Sequence, residues 1–194
     1  MIALLTLAAL MAQAGQSPSP PPMTENRAPV PAQPAPANYP TSANVDRTFA
    51  IVATQGNNAE LDMAQLALKR GTANEVKGFA QKMIAEHEGL MKEMPPSLRK
   101  FANAAAVERL APVDALALRH LESVDPVDFD QAYAMQQIGD HLAALTAFYA
   151  EADNGTDPQL KALARKWLPS IQAHLELAVD LTQHIGGSTP FKGQ

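Results

Sequence analysis

The chain has 194 residues, a net charge of -5, 46% hydrophobic and 18% charged residues, which is enough apolar material for one core of ordinary size. Lysine and arginine are few and scattered and aromatic residues make up only 5%, so nucleic acid is excluded as an expected partner. The absence of cysteine excludes thiol catalysis, thiolate metal sites, disulfides and a cysteine-linked lipid anchor.

The first 43 residues have the pattern of a targeting segment followed by a spacer. An apolar run from Ile2 to Met11 is followed by Ala12-Gln13-Ala14, the A-x-A pattern of a cleavage site, so residues 1–14 are predicted to be a secretory signal peptide. The run is too short to span a membrane, which takes roughly 20 residues. Residues 15–43 hold nine of the 16 prolines and are predicted to be a disordered, extended linker. The protein is therefore expected to be exported, to the periplasm or the envelope.

Helical periodicity begins after residue 43 and predicts four long helices. The first covers about 44–70 and stops at Gly71, and a capping box at 72–75 starts the second, which Pro95 and Pro96 end. A third runs from an Asp128 cap to about 153, and a fourth from an Asp157 cap to about 185. Two tight hairpins joined by a long connection predict an all-α, ferritin-like four-helix bundle at 44–187, with a tail at 188–194.

The connection between the second and third helices is predicted to be a long crossover at 97–126. It contains one amphipathic piece, about 113–124, between Pro112 and Pro126. No strand pattern competes with the helices, and no internal repeat is evident beyond the two hairpins.

These landmarks resemble the domain of unknown function 4142 family over roughly residues 45–185. The resemblance rests on the following motifs, in chain order: Phe49-x-x-x-Ala53-x-x-Gly56-x-x-x-Glu60; Val76-Lys77-x-Phe79-Ala80-x-x-Met83-x-x-x-His87; Phe129-Asp130-x-x-Tyr133 with His141; and Leu160-Lys161 with Leu168-Pro169-x-x-x-x-His174-Leu175. The chain differs from the usual family pattern at Glu86 and Tyr149. The resemblance implies a ferritin-like fold and export, and it implies no established reaction.

Three histidines carry the candidate chemistry. His87, His141 and His174 each lie within an apolar stripe of a different helix and are predicted to face the core at mid-height, level with Glu60 of the first helix. One residue from each helix could then form a mononuclear site, and three imidazoles with a carboxylate suit Zn, Fe, Mn or Cu. A di-iron carboxylate site is excluded, because isoleucine stands three residues before each histidine, where the Glu-x-x-His motif has glutamate.

Two other interpretations of the histidines stay open. They could be a neutral polar layer hydrogen-bonded to Glu60, Gln136, Gln137, Tyr133 or the carbonyl group freed by Pro169, or they could be a pH-responsive layer. Glu86 and Asp140 are expected at helix edges or in solvent, because neighbouring residues point about 100° apart around a helix.

The sequence favours an exported helical bundle without catalytic residues, which binds an envelope protein or a small ligand or contributes to stress tolerance. The alternative is a metal-binding or metal-dependent redox protein that uses Glu60, His87, His141 and His174. No cofactor is assured by the sequence, and a transition metal ion is the one that these residues would suit.

Overall fold

The computed structural model describes residues 42–103 and 109–185, and within these ranges every regular element is a helix. The all-helical prediction is therefore confirmed. The predicted signal peptide, the linker except for its last two residues, and the tail lie outside the described residues. No helix in the described part combines the length and apolar character that a membrane crossing needs.

The described residues form six helices, two more than the four long ones that the sequence predicts. They are α1 Ser42–Arg70, α2 Asn74–Glu93, α3 Pro96–Asn103, α4 Pro112–Ser123, α5 Phe129–Asn154 and α6 Pro158–His184. α4 is the amphipathic piece that the sequence predicts, whereas α3 was not predicted. Pro96 ends the α2 segment but also starts α3, because proline fits the first position of a helix, where no amide donor is needed.

The four long helices form a bundle in which α1 and α6 each contact both α2 and α5. Phe49, near the start of α1, packs edge-on against Phe148, near the end of α5, with ring centroids 4.9 Å apart. α1 and α5 are therefore antiparallel. The two helices of each hairpin are antiparallel, so α2 is parallel to α5 and lies at the opposite corner of the bundle. The connection through α3 and α4 must therefore run back along the length of the bundle. This is the predicted crossover.

The hairpin turns are capped by aspartates from the opposite hairpin, which corrects two predicted caps. The Asp130 carboxylate accepts hydrogen bonds from the backbone amides of Thr72 and Ala73 and from the Thr72 hydroxyl. The predicted capping box at 72–75 and the predicted Asp128 cap are wrong, since neither Ala73 nor Asp128, the residues before α2 and α5, makes a side-chain cap bond. The Asp157 cap is confirmed by its bonds from the amides of Gln159 and Leu160.

Two apolar clusters fill the bundle, one towards each end. One contains Phe79, Phe129, Tyr133 and Leu181, and the other contains Phe49, Leu98, Phe148 and Leu160. The three histidines lie between them along their helices. On α6, for example, Ile171 belongs to one cluster and Ala178 to the other, with His174 in between. The predicted mid-height level of the histidines is thus what the structure shows.

Candidate metal centre

Three helices of the bundle bring the predicted histidines together. His141 of α5 and His174 of α6 are each only 2% exposed, and His87 of α2 is half-buried. The ring centroids are 5.1 Å apart for His141 and His174, 5.6 Å for His87 and His174, and 6.1 Å for His87 and His141. We call these three residues the histidine cluster.

One nitrogen of each imidazole is held by an oxygen outside the cluster. Nδ1 of His141 lies 2.8 Å from the backbone carbonyl of Gln137, and Nε2 of His174 lies 2.6 Å from Oε2 of Glu86. Nδ1 of His87 lies 3.0 Å from Oδ1 of Asn57. Carbonyl and carboxylate oxygens only accept hydrogen bonds, so each of these nitrogens must carry the proton and donate. The contacts therefore select one tautomer for each ring.

The other three nitrogens are then left with lone pairs inside the cluster. One nitrogen from each ring can be chosen so that all three lie within 4.8 Å of one another. Nε2 of His141 and Nδ1 of His174 are 3.2 Å apart, but they cannot bond to each other when both protons are used elsewhere. Nε2 of His87 is buried and has no hydrogen-bond partner. A neutral polar layer therefore leaves its own acceptors unsatisfied, at a cost of about 1–3 kcal/mol for each buried group.

The surroundings keep the three imidazoles neutral. Burial, together with the neighbouring His174 and His141, lowers the pKa of His87 to about 3. Burial likewise lowers the pKa of His174 to about 4, against the bond to Glu86, which raises it. The pKa of His141 is also lowered by burial. Neutral imidazole is the form that binds metal ions, so its lone pairs are available at pH 7.

Glu60 lies beside the histidine cluster but not among its grouped nitrogens. Its Oε2 accepts a hydrogen bond of 2.8 Å from Nε2 of Gln137, and its Oε1 is 3.9 Å from Nδ1 of His141. That nitrogen already donates to the Gln137 carbonyl, so the carboxyl group faces the protonated side of the ring. Burial, with a contribution from the charge of Asp114, raises the pKa of Glu60 to about 7. The structure thus brings together three of the four predicted ligands and places the fourth behind His141.

Glu86 and Asp140 are predicted to lie at helix edges or in solvent, and in the structure both are partly buried. Glu86 reaches across from α2 to His174 of α6 and also pairs with Lys82. Burial alone would raise the pKa of Glu86, but the bonds from Lys82 and His174 lower it, so the group is ionised. Asp140 is partly buried beside His141 and binds Gln136, and burial together with the Glu60 charge raises its pKa to about 7.

The geometry of the cluster fits one small metal ion after a modest adjustment. Zinc-bound nitrogens lie about 2.0–2.1 Å from the ion, so two tetrahedral ligands are about 3.3 Å apart. The distance between Nε2 of His141 and Nδ1 of His174, 3.2 Å, is already close to this value. The grouped nitrogens lie within 4.8 Å of one another, so the separations to His87 exceed the tetrahedral value by at most about 1.5 Å, and Nε2 of His87 has no hydrogen bond to lose if the ring moves inward.

The contacts to Asn57, Gln137 and Glu86 are the kind that orient metal-ligating histidines. A carboxylate or carbonyl group that binds the remote nitrogen fixes the tautomer and raises the basicity of the ligating one. Neither Asn57 nor Glu86 is predicted from the sequence to have this role. Because α2 packs against both α1 and α6, two adjacent residues of α2 can contact different helices. The sequence feature that points to Glu86 is its position directly before His87, a histidine that is predicted to face the core.

Fold and site together define an all-helical bundle protein with a buried cluster of three histidines. The chain belongs to the family described as domain of unknown function (DUF4142), whose family model matches residues 31–181. This confirms the resemblance found in the sequence. Comparison with curated proteins gave no significant match. Comparison with solved structures gave none either, so the ferritin-like assignment within the bundle class stays a prediction.

Proposed function

We propose that this protein binds one divalent transition metal ion through His87, His141 and His174, with Zn²⁺ as the first ion to test. The observation that carries the proposal is the set of contacts that the three rings make. One nitrogen of each ring contacts an oxygen outside the cluster, and one nitrogen from each ring can be chosen so that the three lie within 4.8 Å of one another. Imidazole ligands suit Zn, Cu, Fe and Ni, and a single cation satisfies all three lone pairs at once.

A proton is the competing occupant of the cluster. Protonation of His174 at Nδ1 would supply a hydrogen bond to Nε2 of His141 across the 3.2 Å gap. It would leave Nε2 of His87 buried and unpaired, and burial opposes a charged imidazole, as the lowered pKa of His174 reflects. A metal ion therefore satisfies the nitrogens of the histidine cluster better than a proton does. A site with three protein ligands also keeps one position open for water or another small ligand.

We further propose that the protein acts outside the cytoplasm, in the periplasm or envelope, as a binding module. The support is the apolar run and A-x-A pattern in residues 1–14, followed by a proline-rich spacer. Expression of the full chain with a C-terminal epitope, cell fractionation and N-terminal sequencing test this directly. A mature chain that starts at Gly15 is expected, whereas a cytoplasmic product that retains residues 1–14 would refute export.

Metal content is the decisive measurement for the metal proposal. The chain is purified without a histidine tag, loaded with Zn²⁺, Cu²⁺, Ni²⁺, Mn²⁺ or Fe²⁺, dialysed, and analysed by mass spectrometry. About one equivalent of at least one ion should be retained, because three neutral imidazoles from three helices supply the protein ligands of such a site. Less than about a tenth of an equivalent of every ion would refute the proposal.

Variants assign the bound metal to the histidine cluster. His87→Gln, His141→Gln and His174→Gln each remove a ligand but keep a neutral polar side chain, and each should lose most of the retained metal. His120→Gln is the matched control, because His120 lies exposed on α4, away from the cluster. Circular dichroism of each variant shows whether the bundle is intact. Equal metal retention by a folded His174→Gln variant would place the metal elsewhere.

A further inference from the structure

A cavity of about 220 Å³ lies beside the histidine cluster, with walls that are mostly apolar. Val52, Leu90 and Phe148 are among its apolar lining residues, and His87 and His141 form part of its boundary. An apolar cavity of about 150 Å³ can hold a molecule of benzene, so this one has room for about six to ten non-hydrogen atoms. The volume therefore suits a small molecule with one ring or a short branched chain.

The polar side of this cavity is acidic. Glu60, Asp114 and Asp140 belong to its lining, and no lysine or arginine is among the described lining residues. The three carboxyl groups thus share a cavity whose other walls are mostly apolar, with no basic side chain among the described lining residues to pair with them. An anionic ligand is therefore excluded, and a cationic one would supply the missing charge.

Buried polar atoms without partners give a second, independent indication of a ligand. Asn57 is 3% exposed, lines the cavity, and its Nδ2 has no hydrogen-bond partner. Oδ2 of Asp140 is also buried and unpaired, and Asp140 lines the same cavity. Native proteins seldom leave such groups unsatisfied. Oδ2 of Asp140 is an acceptor, so the missing partner of that atom is a donor.

We propose that this cavity binds a small primary amine with an apolar body, in addition to the metal ion proposed above. The ammonium group would lie among Glu60, Asp114 and Asp140, and the apolar body would fill the space against Val52 and Phe148. An ammonium group carries three donors, a positive charge and no acceptor, which complements the carboxyl groups. The metal ion would use the nitrogens of the histidine cluster and none of these carboxyl groups, so the two proposals stand or fall separately.

The test uses three probes of similar size and different charge: 2-phenylethylamine, 2-phenylethanol and phenylacetate. Isothermal titration calorimetry of the full chain at pH 8, after removal of metal with EDTA, keeps amine coordination to a metal ion out of the measurement. The amine should bind at least about tenfold more tightly than the alcohol, a difference of about 1.4 kcal/mol, and phenylacetate should not bind. Equal binding of amine and alcohol would refute the charged recognition, and no binding by any probe would refute the ligand site.

Two variants locate the binding. Asp114→Asn removes one carboxylate but keeps a side chain of the same shape, so the affinity for the amine should fall about fivefold to tenfold and that for the alcohol should not change. Gly56→Leu should abolish binding of both, because Gly56 lines the cavity and its added side chain starts in open space. Gly78→Leu is the matched control, since Gly78 also faces open space but lies outside the cavity lining. Unchanged binding by folded Gly56→Leu would place the amine elsewhere.

Discussion

Asp46 and Asp130 hold equivalent places in the two halves of the bundle. Asp46 lies at the start of the first hairpin and accepts hydrogen bonds from the Thr156 amide and hydroxyl and the Asp157 amide, at the turn of the second hairpin. Asp130 lies at the start of the second hairpin and binds Thr72 and Ala73 at the turn of the first. Positions 46 and 130 are as far apart in the chain as positions 72 and 156. Each hairpin therefore caps the other.

The reciprocal capping relates the two hairpins, although no internal repeat is evident in the sequence. The same spacing pairs Gly71 with Gly155, but it also pairs His87 with Ile171. Residues at the turns match between the halves, whereas the core residues around the histidine cluster have diverged. The cluster is therefore asymmetric, and the few matching positions are too widely spaced to read as a repeat.

The reciprocal caps predict a stability loss at two distant points. Asp130→Ala and Asp46→Ala should each lower the free energy of unfolding by about 1–3 kcal/mol, because each leaves backbone amides at a helix start without an acceptor. Urea unfolding at pH 7 measures the loss, and the double variant should show the sum, since the sites are at opposite ends of the bundle. Asp128→Ala is the control and should change the stability by less than about 0.5 kcal/mol, because this side chain caps nothing. A loss at Asp128 as large as at Asp130 would contradict this account.

Two glycines should respond to alanine in opposite directions. A Cβ atom at Gly71 would lie 2.6 Å from the Ala67 carbonyl oxygen and 2.9 Å from Cγ1 of Val76. Gly71→Ala should therefore destabilise the protein by about 1–3 kcal/mol. Gly78 lies within α2 and faces open space, so Gly78→Ala should stabilise it by about 0.5–1 kcal/mol. Thermal unfolding of both variants checks the signs, and a destabilised Gly78→Ala protein would show that the interpretation of Gly78 is wrong.

Glu151, at the end of the bundle opposite Asp130, should make the free energy of unfolding depend on pH. Glu151 is fully buried, and burial together with the nearby Asp46 charge raises its pKa from 4.5 to about 7. The folded protein therefore holds this proton more tightly than the unfolded chain, so the stability from this group is present below pH 4.5 and is lost as the pH rises through 7. Glu151→Gln should be more stable than the natural protein by roughly 2 kcal/mol at pH 8 and about equal to it at pH 4.

Urea unfolding at the two pH values tests the Glu151 prediction. Asp153→Asn is the control, because it removes a carboxylate from the same helix at an exposed position and should show no such pH dependence. A constant difference between Glu151→Gln and the natural protein at both pH values would mean that titration of Glu151 is not the cause.

Glu86 should contribute to metal affinity without touching the ion. It holds Nε2–H of His174, which leaves Nδ1 bare, so Glu86→Ala should weaken Zn²⁺ binding by about 10- to 100-fold. Glu88→Ala removes the same charge from an exposed site on the same helix and should leave the affinity within about twofold. Competition with a fluorescent chelator measures both affinities. In the metal-free protein, ¹⁵N NMR of His174 should show that Glu86→Ala, and not Glu88→Ala, changes the tautomer.

The sequence determined the helical class, the four long segments, the level of the three histidines and the family. These features depend on the spacing of apolar residues along one helix and on residues close in the chain, such as Asp157 with Leu160, so neighbouring letters suffice to find them. The tertiary structure decided which polar groups meet: Asp130 with Thr72, Glu86 with His174, and Glu60 behind rather than within the histidine cluster. Such contacts depend on how each helix is rotated about its axis and on which helices are neighbours. The pattern of residues within one helix determines neither of these.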